Sequence, residues 1–333
     1  MSTQRIYDND VVLTNIFQGY MPADQDFIHK DILPEIKVEQ ENGDIPETVS
    51  TGQDFLRVQP ILTVSDAGLA EITADYSKAS KWQTQEYGAE IRVTKRDGKN
   101  FAKNGETWQS GMERAREMKT KQLKIFRMIC KEYALASYVF NAANYESTNK
   151  ITLSGTDQFN VDSSDPQGVF SDAQVAIERY SHADPDRLTA VIPWPIYKIM
   201  IRHPQLKRTN GVSPDGTVPV RDLKRAELAT ALNVDKILVP RLKRETANIG
   251  QTSSLARIWG NFIMLFYVNP NPNPEQWEYT FGYEFVLDAP QVGSYPHHKI
   301  PNVEFVQFME EYDQLILNSE AAYLITNPIA TFV

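Results

Sequence analysis

Cysteine is nearly absent. Cys130 is the only one in 333 residues, so no internal disulfide can form and stability has to come from packing and association. A reducing cytoplasm suits such a chain. Long apolar runs are missing as well. The longest nearly apolar stretch, Ile258 to Val268, falls well short of the roughly 20 residues that a membrane-spanning helix needs. The first residues, MSTQRIYDND, lack a basic segment followed by an apolar one, so no secretory signal is expected. There is no basic excess either: the formal net charge is −9, which disfavours a dedicated nucleic-acid binder.

The signatures of common active sites are also missing. The sequence holds no GxGxxG, no GxxxxGK(S/T), no HExxH, no GxSxG and no EF-hand loop. One cysteine excludes cysteine-built zinc sites. Of five histidines only His297 and His298 are adjacent. Neighbouring side chains on a strand point to opposite faces, so one metal is not expected there. Asp162, Asp165, Asp184 and Asp186 sit beside Ser or Pro, where capping a turn outweighs acid–base work. Cys130 lies mid-helix among apolar residues and reads as core. Trp108 reads as a packing anchor. The expectation is therefore no catalytic residue, no cofactor, no metal and no enzyme. The alternative from another class is an α/β hydrolase or transferase whose site carries no recognised motif.

What is present is a globular composition with an uneven charge. Hydrophobic residues make up 41% and charged residues 23%, which excludes a disordered chain. Residues 1–60 hold eleven acids and four bases, whereas residues 90–131 hold twelve bases and five acids. Segments of opposite sign pair within or between subunits, or stand as two solvated faces.

Residues 1–56 read as an acidic arm. Pro22, Pro34 and Pro46 interrupt any long helix, yet anchors such as Ile16, Phe17, Tyr20, Phe27 and Leu33 are too many for a disordered tail. A short helix is expected from a cap at Asp10 to Gly19. The anchors have to dock outside the arm, and a neighbouring subunit is the favoured place. Residues 57–104 read as extended chain, with strands at 72–76 and 89–94 and a basic turn at Lys95-Arg96-Asp97-Gly98-Lys99. Between 107 and 144 helix formers run without proline. Ser110 and Glu113 have capping-box spacing, and about 35 residues would make a helix about 50 Å long. Met112, Ala115, Met118, Ile125 and Ile129 form its apolar stripe. Residues 151–290 alternate strands and helices, with helices expected from Ser171, from Pro195 and over Val220 to Leu232. Strands are expected at 188–192, 237–239, 258–268 and 279–287, with an Asn-Pro loop at 269–274. Further apolar runs follow at 303–309, 315–317 and 321–325.

In that order, several local patterns resemble the major capsid proteins of tailed phages. Ser164-Asp165-Pro166 stands ahead of the helix at Ser171. Tyr197 is followed by His203-Pro204. Leu228-Ala229 leads to Leu232-Asn233-Val234-Asp235-Lys236-Ile237-Leu238-Val239. Phe262 to Val268, a Pro-rich loop and Gly282-Tyr283-Glu284-Phe285 complete the series. The Asn-Pro repeat and the loop from Gly211 to Gly216 depart from the pattern. The resemblance spans about residues 55–330.

It implies an α+β fold of the Hong Kong 97-like type. Residues 1–56 would be the N-terminal arm and 57–104 the extended hairpin loop. Residues 105–167 would be the peripheral domain with its long spine helix, 168–290 the axial domain, and 291–333 the C-terminal strands returning to the peripheral domain. It further implies an icosahedral shell around double-stranded DNA, located in the virion and assembled in the host cytoplasm. The partners implied are the chain itself in hexamers and pentamers, portal, scaffold and decoration proteins, and packaged DNA in non-specific contact, with no membrane. The runner-up is an encapsulin-like compartment shell. A sequence that starts at Met1 carries the expectation that no propeptide has been removed and that any scaffold is separate. Inter-subunit contacts are expected at Ile16, Phe17, Tyr20, Phe27, Lys95, Arg96, Lys99, Arg114 and Arg116.

Overall fold

The computed structural model describes residues 10–20, 27–46, 79–180, 183–209, 221–248, 250–269 and 280–332. The strand expected at 72–76, the loop at 211–216 and nearly all of the Asn-Pro loop lie outside them. The N-terminal segment gives α1 (Val11–Gly19), α2 (His29–Ile32), β1 (Glu35–Lys37) and β2 (Asn42–Pro46). Then come β3 (Ala79–Gln83), β4 (Gln85–Thr94), α3 (Lys95–Phe101) and the long α4 (Trp108–Val139). The middle holds β5 (Lys150–Thr152), α5 (Pro166–Tyr180), β6 (Thr189–Val191), α6 (Trp194–Met200), α7 (Pro204–Thr209) and α8 (Arg225–Leu232). It continues through β7 (Lys236–Leu238), β8 (Lys243–Glu245), β9 (Leu255–Arg257) and β10 (Phe262–Phe266). Two long strands, β11 (Gly282–Pro296) and β12 (Val303–Ile316), precede β13 (Ala322–Thr326).

Two sheets organise these elements. A four-stranded sheet has the order β1-β11-β12-β4, and a five-stranded sheet the order β5-β13-β10-β6-β7. Two ribbons, β2-β3 and β8-β9, stand beside them. The five-stranded sheet is buried on both faces, and its alternation assigns the faces. Ile263 and Leu265 of β10 join Ile325 of β13 in one core with α5, α6 and α8. Met264, Phe266 and Leu324 point the other way, onto Leu135, Ala136 and Val139 at the end of α4. Each such side chain, fully buried, contributes roughly 1.5–3 kcal/mol.

Several expectations shift. The basic turn at 95–99 is helix α3, because Thr94 and Asp97 form a reciprocal capping box. The cap expected at Ser110 and Glu113 is not used: α4 starts at Trp108 after Thr107, without a side-chain cap bond. The third helix of the middle block starts at Arg225 instead of Val220. Ser171 lies inside α5, which starts at Pro166. There Asp165 Oδ1 accepts from the Gly168 N–H at 2.9 Å, and proline needs no donor at the first helical position. Asp184 likewise caps a turn, accepting from Asp186 N at 3.1 Å. Cys130 is exposed rather than core, since the buried stripe of α4 passes on its other side. His297 and His298 lie past the end of β11 and stack ring on ring, 5.0 Å apart. The alternation of a strand therefore does not separate them. The runs at 303–309 and 315–317 are one strand, β12. The C-terminal strands divide: β12 joins the four-stranded sheet, whereas β13 lies between β5 and β10 in the other.

Candidate functional site

The long helix is the element on which the other parts converge. Its buried positions include Met112, Ala115, Leu123, Met128, Leu135 and Val139, but also Thr120, Lys124, Lys131 and Glu132. These recur at three and four residues, so polar and apolar groups share one face. Through Leu123 to Lys131 that face lies on the four-stranded sheet, and its end meets the five-stranded one. Along β12 every second residue points at the helix, which brings Glu304, Val306, Phe308, Glu310 and Tyr312 to it.

Two bidentate pairs brace helix and strand. Arg116 meets Glu304 through Nε at 2.6 Å and Nη2 at 3.0 Å. Arg127 meets Glu310 through Nε at 2.6 Å and through Nη2. Eleven helical residues rise about 16 Å and six strand residues about 20 Å, a mismatch that the long arginine side chains absorb. Lys131 is 1% exposed. Its Nζ lies 2.5 Å from Glu284 Oε1 and 4.1 Å from the centre of the Tyr312 ring. Burial, with Glu310 close by, pushes the Tyr312 phenol up, so it stays neutral.

Glu132 ties the N-terminal segment to the helix. It is fully buried and accepts from the backbone N–H of Ile28 and His29, from His29 Nδ1 at 3.1 Å and from Trp259 Nε1 at 2.8 Å. That many donors satisfy the carboxylate's lone pairs away from solvent. One turn past Thr120, Lys124 Nζ donates to the Gln18 carbonyl at 2.8 Å, holding the end of α1. Desolvation, then the Arg127 and Lys30 charges, lowers its pKa to about 8.

The residues expected at subunit contacts divide accordingly. Phe17 is fully buried in its own chain, with its ring stacked 5.3 Å from that of Phe308. Ile16 packs half-buried beside it. Tyr20 lies half-buried under Lys121, and Phe27 leans on the core near His29. The described arm packs on its own body, where α1, α2 and β1 complete cores that α4 and β11 leave open. Arg114 pairs with Glu106 and Arg116 with Glu304, so both are engaged within the subunit. Lys95 Nζ sits 5.0 Å from the centre of the Trp108 ring. Arg96 and Lys99 are exposed on α3 and, among the described residues, make no salt bridge. Lys124, Lys131, Glu132, Glu284 and Glu310 were missed by sequence reasoning. The signal was available: on α4 the three charges share the helical phase of Met128 and Leu135.

Ser164 and His203 form the one buried serine–histidine contact among the described residues, with Oγ 3.2 Å from Nε2. The same nitrogen lies 3.1 Å from the Val161 carbonyl. A carbonyl only accepts, so Nε2 carries the hydrogen and cannot act as a base toward the hydroxyl. This pair closes a loop instead of activating a nucleophile. Among the described residues no group of three or more His, Cys, Asp or Glu is placed to hold a metal, and no helix is long and apolar enough to cross a membrane.

No family model matches the chain. Relatives and solved structures do. The sequence is 27% identical over 327 residues to the major capsid protein of Burkholderia phage BcepMu, covering 95% of both chains. A phage-related protein of Bordetella bronchiseptica RB50 has the same fold, with a TM-score of 0.71 at 18% identity over 97% of this chain and 98% of that one. The capsid structure of cyanophage P-SCSP1u matches with a TM-score of 0.50 at 11% identity, covering 92% and 90%. The mixed helix-and-sheet fold is thus that of solved phage capsid proteins. In sequence, the chain is similar over nearly its whole length to a phage major capsid protein.

Proposed function

We infer that this chain is the structural subunit of a phage capsid shell, and that it acts by association rather than catalysis. The observation that carries this is the match to a phage major capsid protein across 95% of both chains. The braced helix and sheet suit such a role, since a rigid body with buried ion pairs presents fixed surfaces to many copies. On this reading the particle is a virion shell around double-stranded DNA, built in the host cytoplasm from hexamers and pentamers. Portal, scaffold and decoration proteins are its further partners. The parts follow the Hong Kong 97 type. α4 is the spine of a peripheral domain with the four-stranded sheet, and the five-stranded sheet with α5, α6 and α8 anchors an axial domain. Lys95, Arg96 and Lys99 are proposed to face neighbouring subunits.

Negative-stain microscopy of the purified protein, alone and co-expressed with the structural proteins of its own virus, tests this reading. Closed particles of uniform size are expected, with nuclease-protected DNA inside filled ones. Monomers under every condition would overturn the shell; particles filled with a protein cargo and no nucleic acid would replace the virion with an encapsulin-like compartment.

A further inference from the structure

The turn that joins β11 to β12 is held by a histidine used as a cap. The last residue pairs of the two strands are Tyr295 with Phe305 and Pro296 with Glu304, and residues 297–302 close the hairpin. His297 N donates to the Val303 carbonyl at 2.8 Å. The His297 ring folds back over the residues that follow: its Nδ1 accepts from the backbone N–H of Lys299 and of Ile300, both at 3.0 Å. Asp and Asn commonly hold turns in this way, with a side-chain oxygen that receives the N–H groups just ahead of it. Here a titratable nitrogen stands in the place of that oxygen.

Both contacts demand the unprotonated nitrogen. A ring nitrogen that accepts carries no hydrogen, so the neutral tautomer with its hydrogen on Nε2 is required. A proton added at Nδ1 turns the acceptor into a donor that faces two donors. Histidine is the side chain that takes up a proton between about pH 5 and 8, and this one is only half-buried.

The surroundings offer a charged imidazole no compensation. The His297 ring stacks on that of His298, 5.0 Å away and 3° from parallel, and meets Phe305 at 5.5 Å. On the turn itself His298 and Lys299 can add only positive charge. From β4, Arg92 stands opposite Phe305, and Glu90 accepts from the Tyr295 hydroxyl at 2.5 Å. From β12, Glu304 is taken by Arg116. From α3, Lys95 lies over the Trp108 ring, and Asp97 closes the capping box with Thr94. Among the described histidines, the one in a salt bridge is His29, with Glu132.

A change in the turn reaches α3. The N–H of Lys95, the first residue of α3, donates to the Asn302 carbonyl at 3.1 Å. Asn302 is held in the left-handed region at φ 58°. α3 in turn seats on α4 where Gly98 meets Gly111.

We propose that His297 is an acid-released latch: without a proton on Nδ1 the turn is closed, and protonation opens residues 297–302 and frees the start of α3. Protons bind the open turn and not the closed one, so closure strengthens as pH rises and fails as pH falls. The latch belongs to the subunit itself and does not depend on what the subunit builds.

Hydrogen exchange of the full chain, read by mass spectrometry and corrected for the intrinsic pH dependence of exchange, tests the latch. From about pH 7.5 to about pH 5, protection of the Lys299 and Ile300 amides should fall about tenfold, the net strength of one hydrogen bond. Protection at the start of α3 should fall with it, while β10 and β13 keep theirs. His297→Asn puts an oxygen where Nδ1 stands and takes up no proton, so the turn should stay protected at both pH values. His298→Asn should leave the acid response in place. An unchanged turn in acid, a loss that persists in His297→Asn, or a loss shared equally by β10 and β13 would each overturn the proposal. Imidazole nitrogen NMR of the wild type gives an independent reading. The Nε2–H tautomer is expected for His297 at neutral pH, and the Nδ1–H tautomer rules the latch out.

Discussion

The indole Nε1 of Trp259 donates to Glu132 Oε1 at 2.8 Å, in a place where neither side chain is more than 1% exposed. The carboxylate also takes the first N–H groups of α2, so one side chain of α4 organises two chain segments far apart in sequence. Glu132→Ala leaves these donors buried without partners. At about 1–3 kcal/mol for each orphaned group, the subunit should lose about 3 kcal/mol or more, read from urea melts. Glu132→Gln keeps an acceptor and should lose clearly less.

Lys131 makes a different prediction. Removing one partner of a buried ion pair typically costs about 3–5 kcal/mol, because the other charge stays buried. Lys131→Met should therefore destabilise strongly. Lys131→Met combined with Glu284→Gln should recover most of the loss, and a double-mutant cycle in urea measures the recovery.

α3 and α4 touch through glycines. A methyl group added at Gly111 would sit 1.9 Å from the Gly98 carbonyl oxygen, so Gly111→Ala must push the helices apart. Overpacking of this kind costs about 1–3 kcal/mol. Hydrogen exchange should rise in α3 while the five-stranded sheet keeps its protection.

Lys124 sets a pH dependence. Its folded pKa of about 8 lies below the ~10.4 of a free lysine. Between those values the unfolded chain binds more protons than the folded one, so stability rises with pH across that window and is flat on either side. Urea melts of wild type and Lys124→Met should show their difference moving in favour of wild type only above about pH 8. A difference independent of pH would contradict the assignment.

Burial of the arm sets what a truncation should do. Leu13, Phe17, Ile32, Leu33 and Ile36 are each at most 4% exposed, and β1 is hydrogen-bonded to β11. Deleting residues 10–46 should give aggregating protein with a lowered melting temperature.

How much of this was legible in the sequence varies with the range of the interactions. The Asp10 cap, the length of α4 and the turn roles of Asp165 and Asp184 follow from local chemistry, and all are present. The ordered motifs located the middle block, and two of them meet: Ser164 and His203 are in contact. What local pattern could not supply was the partner across the fold. Arg116 reads as a subunit-contact charge until Glu304 is known to lie opposite it, 188 residues away. Lys95 to Lys99 reads as a turn because glycine and four polar residues look like one; the Thr94–Asp97 box and the close seat on Gly111 make it helical. The arm reads as homeless for the same reason, since its sockets are built by β11, β12 and α4.

The place of β13 has a consequence for synthesis. It lies between β5 and β10, yet it follows every other strand in the chain. Until residues 322–326 leave the ribosome, β10 presents an open edge, and open edges pair with whatever strand they meet. Contacts this distant in sequence also form slowly. The central sheet therefore depends on the last strand made: a nascent chain stopped short of β13 lacks the strand that joins β5 to the rest and leaves β10 open on one side.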